Sequence, residues 1–420
     1  MNDTSPPRLS ALKPWQGWLL VGALTAALWW LCFQSPLFWV TTGMGEPNRP
    51  FIDLYGLLVA FDAKSLGLDP FVPSSLDPYR RPHVYSTWWL VFSDLGLGRK
   101  DVYWVGTLLA GILIANVVAM ARPRTWRDCG ALLAVLLSPA FLLAANRANP
   151  DLNILLLVSL GLLCFRKPGF GWRAVGIILF ALSAVLKYFP LVTLVLLLDL
   201  RSRRDFVLGL ALYVAVVLLA LPGLVPALKS AALHAPQPVW LYAFGAPVLM
   251  RDLGLKQPLV WVAPAVLLGS WALVAAWRDR HAPVPPATDE THDRERDFVC
   301  GALMLVGLFF LGASFAYKLI FAVWLLPWLW AAPADAGEAR RRRVLWYLLL
   351  AVLWFEGLMA TGFNLADRFL GLPATENVLR ATWVVQQLLG WALVACLSRF
   401  LLVYLSRWVR TLLPRLGSAA

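Results

Sequence analysis

Apolar runs of about 14–25 residues follow one another from Trp15 almost to the end of the chain, and no polar block between them is long enough to fold as a separate domain. Backbone in lipid must satisfy its own hydrogen bonds, so runs of this length read as helices crossing or entering a bilayer. Hydrophobic residues make up 60% of the chain and charged residues only 15%, a balance that excludes an ordinary soluble domain. We read an all-α polytopic membrane protein with one membrane domain over 15–406, a short cytoplasmic tail at 1–14 and a basic tail at 407–420. The first run, WQGWLLVGALTAALWWLCFQ, lacks a small-x-small cleavage site and reads as a retained span. The cysteines, Cys32, Cys129, Cys164, Cys300 and Cys396, stand singly and read as packing residues.

Hydropathy places about twelve crossings, at 15–34, 102–121, 129–145, 151–165, 173–187, 189–200, 206–222, 259–277, 298–316, 319–332, 344–362 and 380–406. Every second connection is then basic: ARPRTWRD (121–128), RKPGFGWR (166–173), DLRSRRD (199–205), the segment 277–297, EARRRR (338–343) and the tail from Arg407. The positive-inside rule puts these in the cytoplasm. The net charge of +13 is thereby a membrane-orientation signal, and nucleic acid is not implied. The Pro-rich, charged stretch within 278–297 reads as a flexible cytoplasmic linker.

One outer turn contains AVLKYFPL (184–191), a lysine and a proline inside an apolar run. Fewer than 30 residues separate Arg173 from Arg201, whereas two full crossings need about 40. The hairpin therefore stops short of the outer face, with Lys187 and Tyr188 at a recessed tip. FAYKLIFAVWLLPW repeats the construction with Tyr317 and Lys318, and NRANPD brings Arg147, Asn149 and Asp151 to the same side. Together these tips suggest the wall of a pocket for an anionic group. Each residue also has a plainer reading. The lysines suit snorkelling anchors, the tyrosines an aromatic belt, and Arg147 with Asp151 a local pair capping the next helix.

The first outer loop, 35–101, holds apolar residues at helical spacing from Ile52 to Leu66, which predicts an interfacial amphipathic helix. The run HVYSTWWLVFSDLGL is too short to add a span and reads as a second interfacial or re-entrant piece. Asp53, at the start of the first helix, suits either a cap or a general base that accepts a proton from a reacting hydroxyl. The isolated histidines, His83, His234, His281 and His292, read as structural or solvated, and no metal-ligating constellation or D-x-D motif is present.

Phe51-Ile52-Asp53-Leu54-Tyr55, then Gly67 to Phe71 (G-x-D-P-F), Arg147-Ala148-Asn149-Pro150-Asp151, and Ala184 to Leu191 (A-x-L-K-x-x-P-L) resemble, in that order, the glycosyltransferase family 87 group of GT-C membrane enzymes. The likeness runs from about residue 15 to 335, and Tyr317 to Phe321 (Y-K-L-I-F) is similar to relatives of that group. It departs from the usual pattern at Ala148, where a glycine is common, and at Pro150. The resemblance implies a GT-C-like bundle and a hexosyltransferase, for mannose among other hexoses, without a cofactor. The donor would be a polyprenyl-phosphate sugar, and the acceptor a glycolipid, glycan or protein at the outer face of a bacterial plasma membrane. Carried over residue by residue, Asp53 would be the general base, and Lys187, with Arg147 and Lys318, would bind the donor phosphate. Asn149, Asp151, Tyr188 and Tyr317 would complete the substrate site. A transporter or flippase of a lipid-linked sugar is the competing expectation, since it too needs a cationic cavity facing a leaflet. No internal repeat of the kind common in transporters is visible.

Overall fold

The computed structural model describes residues 13–42, 50–200, 202–234, 242–252, 259–278, 289–312, 314–333 and 335–417. Most of the N-terminal tail, half of the linker with His281, and Trp240 in the outer connection expected at 223–258 lie outside the described residues. So do the last three residues of the basic tail.

The described residues are helical almost throughout. Among them five helices are long and apolar enough to cross a membrane: Trp15–Gln34, Arg99–Ala121, Arg203–His234, Ala336–Leu370 and Glu376–Arg410. A sixth crossing results if α5 (Trp126–Leu136) and α6 (Pro139–Arg147), which meet at 58°, are one broken span. The break falls at Ser138-Pro139, where proline removes a backbone donor and its ring crowds the preceding turn. Several of the twelve expected boundaries recur closely, as in α4 (Val102–Ala121) and α7 (Asp151–Phe165), yet α7 and α8 (Phe170–Leu186) fall short of spanning length. A run buried against other helices needs no lipid, and many side chains of α7 and α8 are enclosed by protein.

Each lysine tip is a helical hairpin whose return arm is a 3₁₀ helix. Lys187 lies between α8 and the arm Phe189–Asp199, and Lys318 lies in the arm Ala316–Leu325 that follows α12 (Asp289–Leu311). At 2.0 Å per residue the 11-residue first arm reaches about 22 Å, short of a hydrocarbon core of about 30 Å. The two hairpins pack together, with α12 against both 3₁₀ arms and Phe189 against Phe321 at 5.5 Å between centroids. Phe321, Trp324 and Phe298 are fully buried there. Beside them α7 and α8 touch through glycines: a Cβ on Gly161 would lie 2.4 Å from the Phe180 ring, and one on Gly176 2.8 Å from the Gly161 carbonyl oxygen.

The basic connections meet at one end of the bundle. Arg124 pairs with Glu290 at 2.7 Å, Arg166 with Asp297, and both Arg296 and His292 with Asp199. Residues 289–297, expected in the flexible linker, instead form the first turns of α12. Asp289 and Glu290 favour the positive helix start, and the Glu290–Arg294 and Asp293–Arg296 pairs span adjacent turns. The first outer loop, the NRANPD turn and both lysine tips gather at the opposite end. There α3 (Ile52–Ser65) and the 3₁₀ helix Thr87–Leu95 form where the loop was expected to be helical, and no membrane span is added. α3 is buried along most of its length, more enclosed than an amphipathic helix resting on an interface. A two-residue antiparallel ladder, β1 (Ala243–Phe244) with β2 (Ser314–Phe315), ties the outer connection within 223–258 to the Lys318 tip.

Candidate functional site

The geometry of the site starts with Phe51. Its φ of 62° is left-handed, its N–H donates to the Asn146 carbonyl at 2.6 Å, and its ring rests on Gly106, where any Cβ would collide with it. This pins the start of α3 to the last turn of α6 and sets Asp53 beside Arg147. Arg147 donates Nε to Asp53 Oδ2 at 2.8 Å and Nη2 to Oδ1 at 2.7 Å, a two-pronged ion pair. The chain then reverses through Ala148, buried with φ 43°, a conformation that favours glycine.

Asn149 joins the rest. Its Nδ2 donates to Asp53 Oδ2 at 2.7 Å and to the Tyr317 hydroxyl at 2.9 Å. Its Oδ1 accepts from the Asp151 N–H at 3.0 Å and from Lys187 Nζ at 2.8 Å. The Asp151 contact is an Asx turn that opens α7. Lys187 also donates to Asp151 Oδ1 at 2.6 Å and lies 4.8 Å from the centroid of Tyr85. The expected site residues Asp53, Arg147, Asn149, Asp151, Lys187 and Tyr317 thus form one continuous network. The pairing differs from a local Arg147–Asp151 contact: Arg147 takes Asp53, and Asp151 takes Lys187. The opposed charges are brought together from α3, α6, α7 and the α8 tip, and neither cation remains open.

Lys318 stands outside that network. It donates to Ser314 Oγ at 3.0 Å, lies 5.2 Å from the Phe189 ring centroid and forms no ion pair among the described residues. It lines a cavity of about 130 Å³ together with Lys187, Tyr85, Tyr188 and Tyr317. The other wall is apolar, made by Leu224 and Leu228 of α9 (Arg203–His234) and Leu308 and Leu311 of α12. Asp53 does not line this cavity. It connects to it through Asn149 and Tyr317.

Burial pushes the Asp53 carboxyl upward, but the Arg147 guanidinium and the Asn149 amide outweigh burial and hold it below the ordinary carboxylate range. Such a group is a weak base while the ion pair is closed. Arg81 and Tyr85 were not singled out in the sequence. Arg81 donates to Asp77 at 2.8 Å and to the Ile52 carbonyl at 3.3 Å, and its charge also acts on Asp53. Their only local signal was a basic, aromatic stretch, YRRPHVY, within an otherwise apolar loop. Neither a family model nor a curated protein matches the chain.

Proposed function

We propose that the chain is a GT-C-type glycosyltransferase of about twelve membrane passages, counting the recessed hairpins, that moves a hexose from a polyprenyl-phosphate donor to an acceptor at the outer face of a bacterial plasma membrane. The basic end of the bundle would face the cytoplasm. One observation carries the reading: a cavity with lysines on one side and leucines on the other, joined through Tyr317 and Asn149 to a buried aspartate. That combination suits an amphiphile with an anionic phosphate and a long apolar tail.

In this reading the donor phosphate sits between Lys318 and Lys187 and the prenyl chain lies along α9 and α12. The acceptor oxygen attacks the anomeric carbon, the bond from that carbon to the phosphate oxygen breaks, and polyprenyl phosphate leaves. Negative charge grows on the phosphate as the bond opens, so the lysines stabilise the transition state more than the bound donor. Asp53 takes the proton of the acceptor hydroxyl. It can do so only when Arg147 has released it, and the incoming phosphate is the natural competitor for that guanidinium. The test is incubation of the purified protein with a panel of polyprenyl-phosphate hexoses and an acceptor extract, following release of polyprenyl phosphate. Release with sugar transfer supports the enzyme. Movement of intact donor across a vesicle bilayer without release would instead establish a flippase.

A further inference from the structure

The end of the bundle opposite the lysine cavity has a second cavity, of about 100 Å³, which the proposed reaction does not use. It lies where α4 and α7 end and α12 begins. Arg122 follows α4 with φ 50°, Arg166 follows α7, and Asp297 and Trp330 complete the wall. Most carboxylates around it are engaged. Glu290 holds both Arg124 and Arg294, Asp293 holds Arg296, and Asp128 accepts from the Arg124 and Thr125 N–H groups at 3.0 Å each.

What remains is an excess of donors. Arg166 uses Nη2 on Asp297, and its Nε and Nη1 are buried without a hydrogen-bond partner. Trp330 Nε1 is in the same position. Arg122 forms no ion pair among the described residues. One acceptor is also unused: Asp297, only 1% exposed, has Oδ1 without a partner. Buried polar atoms left in this state each carry a desolvation cost, so a ligand that satisfies several at once binds favourably.

The geometry points to a binding site for a phosphate ester whose oxygens accept from Arg166, Arg122 and Trp330, and which carries a hydroxyl that donates to Asp297. A phosphoglycerol group has both features. The surroundings favour a lipid headgroup as its source. Trp15, Trp126 and Trp172, at the starts of α1 (Pro14–Gln34), α5 and α8, are half-exposed at this same end, as expected where helices meet headgroups.

The site is tested by delipidating the protein in a neutral detergent and measuring its melting temperature with added dioctanoyl phosphatidylglycerol, dioctanoyl phosphatidylcholine, glycerol 3-phosphate or inorganic phosphate. Phosphatidylglycerol should stabilise, and phosphatidylcholine, whose headgroup has no hydroxyl to donate, should stabilise less. Equal stabilisation by glycerol 3-phosphate would identify a soluble ester as the source while supporting the site. Arg166→Gln leaves Asp297 buried alone and risks misfolding, so Trp330→Phe and Arg122→Gln are the informative variants. Each should weaken the apparent affinity about threefold to tenfold. No stabilisation by any phosphate ester, or unchanged affinity in both variants, would overturn the site whatever the fate of the glycosyltransferase reading.

Discussion

Arg147 grips Asp53 with two parallel hydrogen bonds at 2.7 and 2.8 Å, joining residues 94 positions apart in the chain. Asp53 is almost fully buried, so the pair solves a problem that α3 creates by carrying a carboxylate into an enclosed position. It also makes Arg147 a structural residue before any substrate arrives.

Removing one partner should therefore be worse than removing both. Arg147→Met leaves a buried, uncompensated carboxylate and should destabilise the protein by about 3–5 kcal/mol. The double variant Asp53→Asn with Arg147→Met should recover much of that loss. Melting temperatures of the two singles and the double in one detergent provide the cycle, and an additive loss would mean that the residues do not interact.

Asp53→Asn separates positioning from proton transfer. An amide still accepts from Asn149, but it cannot take a proton, and loss of a general base costs on the order of 10²–10⁴ in rate. Turnover should fall at least about a hundredfold with donor affinity no weaker than that of the parent, since the phosphate no longer competes with a carboxylate for Arg147. Near-parental turnover would remove Asp53 from the chemistry and leave it as the anchor of Arg147.

The two lysines should respond differently although their sequence settings match. Lys187→Met leaves Asp151 buried without its cation and should lower the melting temperature, with Asp151→Asn in the same chain restoring most of it. Lys318 holds no carboxylate among the described residues and contacts Ser314 and the Phe189 ring, so Lys318→Met should fold normally and weaken donor binding about tenfold to a hundredfold. Donor binding followed by stabilisation of each variant distinguishes them. Unchanged affinity in Lys318→Met would show that the cavity lysine does not meet the phosphate.

His83 sets an acid limit on the outer loop. Burial lowers its imidazole to about 4, and its ring contacts the Ser86 carbonyl at 3.2 Å while its own carbonyl accepts from Ser230 of α9. Between about pH 6.5 and 4 the unfolded chain binds a proton that the folded one refuses. Stability should therefore fall as pH drops through that window, by up to about 3 kcal/mol. Asp53 acts in the same sense but lower down: its carboxyl is also held below its ordinary range, so its contribution is complete above that range and is lost as pH falls through it. His83→Gln should flatten the melting-temperature profile between pH 4.5 and 6.5. An unchanged slope would place the acid sensitivity elsewhere.

Ala148 pays a conformational penalty that glycine would not. Ala148→Gly relieves about 1–2 kcal/mol of left-handed strain against about 0.5–1 kcal/mol of added chain entropy. The variant should melt at the same temperature as the parent or slightly above it. A clear loss would mean that the Ala148 methyl, fully buried, contributes more through packing than its backbone angle costs.

The sequence by itself determined that the chain is a helical membrane protein, where α4 and α7 begin and end, and that basic connections recur on alternate turns. Those features are local: apolar length and charge act residue by residue on the choice between lipid and water. It also marked Arg147, Asn149, Asp151 and Lys187, because a polar group in an apolar run needs a partner, and Asp53, for its place at the start of a helix. Which partner each one has was settled only by the tertiary structure. Asp53 and Arg147, or Asp151 and Lys187, could have been matched in other ways by charge alone, and the choice depends on where Phe51 seats on Gly106 and how the chain turns at Ala148. Apolarity likewise reads the same whether lipid or another helix covers a run: α7 and α8 are shorter than the spanning-length helices among the described residues, and only the tertiary structure shows how many of their side chains are enclosed by protein.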